Sequence, residues 1–161
     1  MKFKDKIKNH MRTDIAYTTV EERLADVIFK MSRVGTDIAI VKSKDNIVGL
    51  ITTTDIYSAL VKEVFTENAK KAEIPKEIKD IKVIDIMRGP PTKKFMTSCQ
   101  INGPAPCVQT DENITIKDAI RIMDKSGLHH LLITGEKNKL VGTLSSNDII
   151  RSFGKSKATK D

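Results

Sequence analysis

The sequence predicts a mixed α/β (α+β) protein made of two equivalent halves, and three observations predict it. First, Val48-Gly49-Leu50-Ile51-Thr52-Thr53-Thr54-Asp55-Ile56 and Val141-Gly142-Thr143-Leu144-Ser145-Ser146-Asn147-Asp148-Ile149 follow one pattern: an apolar run, a hydroxyl residue, then an aspartate three positions later. Second, each stretch is preceded by a segment with apolar residues at helical spacing that stops at a glycine. Third, between glycine and aspartate lie two short aliphatic runs separated by turn residues, the signature of paired strands.

The duplication holds when offsets are counted. Gly49 to Gly142, Thr52 to Ser145 and Asp55 to Asp148 are all 93 apart, whereas Asp26 to Asp118, Met31 to Met123 and Gly35 to Gly127 are 92 apart. The one-residue slip falls where Lys42-Ser43-Lys44-Asp45-Asn46 faces Thr134-Gly135-Glu136-Lys137-Asn138-Lys139, and hairpin turns tolerate such a change. Further back, Ile7-Lys8-Asn9-His10-Met11 matches Val83-Ile84-Asp85-Ile86-Met87 at an offset of 76, so the second half carries 92 − 76 = 16 extra residues between Met87 and Ala105.

The elements follow in order. Glu21 to Arg33 sets Leu24, Val27, Ile28 and Met31 on one helical face, and Gly35 ends that helix as its C′ residue. Ile38 to Val41 and Ile47 to Ile51 read as an antiparallel pair around the Lys-Asp-Asn turn. Thr53-Thr54-Asp55 supplies an N-cap for a helix from Ile56 to Phe65. In the second half Ile116, Ala119, Ile120 and Met123 form the face, Gly127 stops it, Leu131–Thr134 and Leu140–Leu144 pair, and Ser146-Asn147-Asp148 caps a helix from Ile149 to about Phe153. Residues 63–81 are expected to be a helical connector, polar and lysine-rich, that extends the second helix and is interrupted by Pro75. Residues 88–104 are an inserted loop with Gly89-Pro90-Pro91 and Gly103-Pro104. Residues 154–161 form a basic tail expected to be disordered.

Composition narrows the function. At 161 residues and 39% apolar content the chain can build one domain or two small units sharing a core. No apolar run approaches the roughly 20 residues needed to span a bilayer, and Met1-Lys2-Phe3-Lys4-Asp5-Lys6 does not resemble a secretory leader. A cytoplasmic protein with no membrane association is therefore expected. Cys99 and Cys107 lack zinc-knuckle spacing and are expected to be unpaired thiols. The net charge of +7 raises nucleic acid as a partner. Its lysines are scattered, however, tryptophan is absent, and Tyr17 and Tyr57 are isolated, so no stacking platform exists.

The ordered set of helix, glycine, strand, turn, and a strand ending Val-Gly-x-h-[ST]-x-x-Asp-Ile before a second helix resembles the CBS domain, and it occurs twice. Val83-x-Asp85-Ile86-Met87 resembles the opening motif of that family. The chain is thus similar to a stand-alone tandem pair, a Bateman module, with repeats at 5–62 and 82–153. The resemblance implies two β-α-β-β-α units packed through their sheets about a pseudo-two-fold axis, with clefts between them. It also implies a regulatory adenosine-containing ligand and no catalytic cofactor.

Within that resemblance the site residues can be named. Asp55 and Asp148 are expected to accept hydrogen bonds from ribose hydroxyls, a chemistry an ionised carboxylate suits, though each aspartate is equally well placed as a plain N-cap. Thr52 and Ser145, next to helix N-terminal amides, are expected to face phosphate. His129 and His130 occupy the place where the family often has cations for phosphate, and the first half has Thr36-Asp37 there. Core packing at a strand edge is the alternative for these histidines. The base slot is expected along Thr13, Ile15, Ala16 and Tyr17, and along Ala105, Pro106, Cys107 and Val108, beside the insertion.

The function expected is a non-catalytic sensor of AMP, ADP or ATP, acting as a homodimer on a protein effector in trans. S-adenosylmethionine or methylthioadenosine is the alternative ligand. A structural or nucleic-acid-binding dimer with vestigial clefts is the alternative class. No Ser-His-Asp ordering, phosphate-binding Gly-rich loop or metal-ligand cluster is present, so no catalytic and no metal residues are assigned.

Overall fold

Residues 1–44, 46–65, 80–87 and 108–158 are described by a computed structural model of the chain. They divide into two units, Ile15–Cys99 and Met1–Asp14 with Gln100–Asp161. Most of the connector (66–79) and the whole insertion (88–104) lie outside the described residues.

In the first of these units, β1 (Ala16–Thr19) leads to α1 (Leu24–Val34), the hairpin β2 (Ile38–Ser43) and β3 (Asn46–Thr52), and α2 (Thr53–Phe65). The sheet order is β1-β2-β3, with β1 parallel to β2 and β3 antiparallel. A parallel pair needs a crossover, and α1 supplies it. The helix starts three residues later than its apolar spacing suggests. The Glu22 carboxylate is used elsewhere, accepting from the Thr18 hydroxyl, the Thr19 amide and Lys30 Nζ. Gly35 closes α1 in the left-handed region at φ 70°, its amide donating to Met31 and Ser32 carbonyls. Leu24, Val27 and Met31 pack on Ala39, Val41, Val48, Ile51 and Ile56.

The second unit repeats this with β4 (Val108–Asp111), α4 (Ile116–Ser126), β5 (His130–Thr134), β6 (Leu140–Ser145) and α5 (Ser146–Ala158). Its sheet order is β4-β5-β6 with the same parallel and antiparallel senses. The β-α-β-β-α order implied by the family resemblance is therefore present twice. Gly127 ends α4 at φ 65°, as expected. The helix after β6 runs further than expected, through Gly154 to Ala158, so residues 154–158 are helical rather than a tail. Packing carries it on, because the Phe153 ring meets Phe3 with centroids 5.4 Å apart.

The opening segments are exchanged relative to the order of the repeats. The first opening segment, with a 3-10 turn at Ile7–Asn9, packs into the second-copy unit, and the short helix α3 (Val83–Ile86) packs into the first-copy unit. Ile7 and Val83 are each fully buried in those cores. The backbone contacts are counterparts: Ile116 N donates to Asp5 O at 2.9 Å where Leu24 N donates to Ile81 O at 2.8 Å. Ile7 N likewise donates to Ile114 O, and Val83 N to Glu22 O. Each opening segment thus caps the first helix of the other copy, satisfying amides that a helix start leaves open.

Beyond Ile7 the N-terminal segment joins β6 as an isolated bridge, with Arg12 N donating to Thr143 O at 2.8 Å and Thr143 N to Arg12 O at 2.9 Å. Gly142 permits this approach, because a Cβ there would stand 2.5 Å from the Arg12 carbonyl oxygen. Gly142→Ala should therefore destabilise the second unit by about 1–3 kcal/mol, read as a lower urea midpoint.

Glu22 supplies a pH test. Burial acts to raise its pKa, but hydrogen bonds from Lys30, Thr18 and the Thr19 backbone outweigh this and hold it below the ordinary value of 4.5. A depressed folded-state pKa contributes stability that is present above the unfolded value and lost as pH falls through the folded one. Wild-type stability should fall below pH 4.5 more steeply than that of Glu22→Gln, as measured by urea titration at a series of pH values.

Candidate functional site: a carboxylate at each strand-to-helix junction

Each copy turns from its last strand directly into its second helix, and the turn is held by one hydroxyl–carboxylate pair. In the first copy the Thr52 amide and hydroxyl both donate to Asp55 Oδ2, at 2.9 and 2.7 Å, and the Asp55 amide donates back to Thr52 Oγ1 at 3.3 Å. In the second copy the Ser145 amide and hydroxyl donate to Asp148 Oδ2 at 3.0 and 2.8 Å, and Asp148 N donates to Ser145 Oγ at 3.1 Å. This is a reciprocal capping box. The capping residue is thus Thr52 or Ser145, one or more positions earlier than Thr53-Thr54-Asp55 and Ser146-Asn147-Asp148 suggested. The consequence is chemical. In both copies the hydroxyl is a donor to the carboxylate and so orients the aspartate.

The two carboxylates differ in setting. Asp55 is half-buried and lines a cleft of about 430 Å³ with Ser58, Ala59, Ile81, Asp85, Ile86 and Met87. Asp85 accepts from the Lys82 amide at 3.0 Å as the cap of α3. Asp148 is only 7% exposed, and its Oδ1 accepts from Arg12 Nε at 2.6 Å. Arg12 is the residue that sequence reasoning missed. Its partner is 136 positions away, and no periodicity or motif connects them.

The expected phosphate residues part company. His130 begins β5 opposite Ser145 in the strand register and is half-buried. His129 is exposed, its carbonyl accepting from the Ser146 amide. It lines a second depression of about 430 Å³, largely apolar, with Ile120, Met123, Asp124, Gly127, Ser146, Ile149 and Ile150.

The base-slot residues are also divided. Thr13 is exposed and Ile15 half-buried, while the Ala16 side chain belongs to the core. Tyr17 is 37% exposed with Lys42 Nζ 4.0 Å from its ring centre, and burial pushes its phenol up. Ala105, Pro106 and Cys107 lie outside the described residues, as does Cys99, and Val108 opens β4. Among the described residues no group of three His, Cys, Asp or Glu side chains could hold a metal, and no helix is long and apolar enough to cross a membrane.

A family model described as the CBS domain matches residues 6–62 and again 83–155. The chain belongs to the CBS domain family. Its fold is also that of solved CBS structures. An uncharacterised conserved protein from Pyrococcus horikoshii superposes with a TM-score of 0.66 at 19% identity, over 95% of both chains. The CBS domain pair of protein MJ0100, in complex with 5′-methylthioadenosine and S-adenosyl-L-methionine, gives 0.63 at 15% identity, over 94% of this chain and 98% of that one. A hexameric CBS-CP12 protein from bloom-forming cyanobacteria gives 0.63 at 17% identity, over 90% of this chain and 66% of that one. No curated protein matches. In this CBS pair, as the geometry stands, the capping boxes have a structural role of their own. Thr52→Val and Ser145→Ala should each cost about 1 kcal/mol, and hydrogen exchange should show the loss confined to α2 in one case and α5 in the other.

Proposed function

We propose that this CBS pair is a non-catalytic regulatory module that binds an adenosine-containing ligand of the AMP, ADP or ATP class and signals, as a homodimer, to a partner in trans. The observation that carries this reading is the duplicated carboxylate. Two aspartates are held at equivalent junctions by identical hydroxyl and amide contacts, within 0.1 Å of each other for the hydroxyl bond. Capping does not exhaust such a group, since an ionised carboxylate offers about four acceptor sites. A vicinal diol presents two donors that such an oxygen pair suits. Binding at one state of a packing equilibrium would shift it by the difference in affinity.

A second reading concerns the ligand. Among the described residues, those lining the first-copy cleft include two carboxylates, Asp55 and Asp85, and no cation. Such a lining repels phosphate and favours an uncharged nucleoside or a cationic one. S-adenosylmethionine and methylthioadenosine fit that chemistry, and they are the ligands of the MJ0100 pair. His129 and His130 favour a phosphorylated ligand in the second copy. A structural or nucleic-acid-binding dimer gains no comparable support from named contacts.

A thermal-shift screen with AMP, ADP, ATP, S-adenosylmethionine, methylthioadenosine and NAD tests the proposal. A ligand at 100 times its dissociation constant adds about 2.7 kcal/mol to stability. Asp55→Ala should remove the response to methylthioadenosine and S-adenosylmethionine. Asp148→Ala should remove that to phosphorylated ligands. A confirmed ligand whose binding survives both substitutions would end the ribose assignment.

A further inference from the structure

We infer that Arg12 is an internal competitor for the second-copy carboxylate, so that a ligand diol engages Asp148 only by displacing it and thereby loosens the N-terminal segment. The inference rests on the reading of Asp148 as a diol acceptor. Its physical basis is the Arg12 contact itself. Of the roughly four acceptor sites on the Asp148 carboxylate, two on Oδ2 are taken by the Ser145 amide and hydroxyl and one on Oδ1 by Arg12 Nε at 2.6 Å, which leaves one where a diol needs two. The Asp148 side chain is 8% exposed and that of Arg12 27%, so the pair is shielded from solvent on the Asp148 side. A charged hydrogen bond in such a setting is among the stronger single contacts in a small protein.

Arg12 is placed there by backbone. Its amide and carbonyl both bond Thr143, the residue two before Ser145 on β6, and the bare Cα of Gly142 lets the two chains approach. The segment is held again at Ile7, buried in the core of the unit. Its last anchor before Asp14 is therefore the Arg12 pair of backbone bonds plus one side-chain bond to the proposed ligand-binding carboxylate. Whatever takes Oδ1 removes the side-chain part of that anchor. The contact thus converts occupancy of Asp148 into release of the chain around Arg12, with the coupling reciprocal by thermodynamic necessity. It also makes the copies unequal. A diol at Asp148 must overcome an ion pair, and an anionic ligand has a guanidinium at hand that an uncharged one has no use for.

The test uses the full chain carrying Asp55→Ala, which isolates the second copy, with and without Arg12→Gln. Adenosine is the probe because it has the diol and no phosphate, and 2′-deoxyadenosine is its control. Calorimetry should show Arg12→Gln tightening adenosine by at least about tenfold, a change on the scale of one charged hydrogen bond. The deoxy compound should change by less than about threefold, since it cannot offer both hydroxyls. Unchanged or weaker adenosine binding in Arg12→Gln would overturn the competition. A second, ligand-free measurement is amide exchange at Arg12 and Thr143. Arg12→Gln and Asp148→Asn should each speed it, the double variant no further, while α4 core amides keep their protection and so report an intact fold. Exchange unaltered by both substitutions would overturn the latch. Saturating adenosine should speed the same two amides in the Asp55→Ala protein. If adenosine binds none of the proteins while the exchange response is as expected, the diol competition fails and the latch on the N-terminal segment stands, while the proposed function is judged by the phosphorylated ligands of the thermal-shift screen.

Discussion

The reciprocal bond between a hydroxyl and a carboxylate at the end of β3 and of β6 is the contact from which the remaining features of each unit follow. A strand that turns into a helix without a loop leaves helix amides unsatisfied in a buried place, where an orphaned donor is costly. Thr52 and Ser145 are 2% and 4% exposed, so water cannot do this work. The aspartate three positions on must therefore fold back onto the strand end. That requirement sets the direction of the second helix and fixes the aspartate rotamer. It also leaves a negative charge at the one place where helix dipole and amide donors favour it. The structural need and the proposed binding role fall on the same carboxylate, the cap on its Oδ2.

The exchange of opening segments has a similar logic. A four-residue helix such as α3 cannot be stable on its own. It persists by burying Val83 in the first-copy core and by completing the start of α1 through Ile81 and Lys82. The 3-10 turn at Ile7–Asn9 does the same for α4. Because these contacts use backbone atoms and one buried aliphatic residue, the two segments can differ widely in sequence and still serve equivalent places. The polar residues that follow are less constrained, and it is there that Arg12 acquires its role.

The copies have diverged in charge, while their backbone has stayed the same. In one, the carboxylate lines a cleft with a second carboxylate; in the other it is closed in beside a guanidinium. The apolar depression beside His129 and the exposed Ile150 belong to the same copy, and they add a surface whose chemistry differs again from the cleft.

The order of elements, both helix-ending glycines, the hairpins and the identity of the two aspartates were legible in the residues. Each is encoded locally, by periodicity, by a left-handed position or by a spacing of three. Boundaries were less legible: α1 starts late because Glu22 is diverted to Lys30 and Thr18, and α5 runs on because Phe153 finds Phe3. The exchange of opening segments and the Arg12–Asp148 pair could not be read at all. Both depend on which distant residues the chain brings together, and a contact across 136 positions leaves no local signal. Two copies, and the position of a carboxylate in each, are written in the residues themselves. What each carboxylate faces is set by packing of a segment from elsewhere in the chain, and so emerges only on folding.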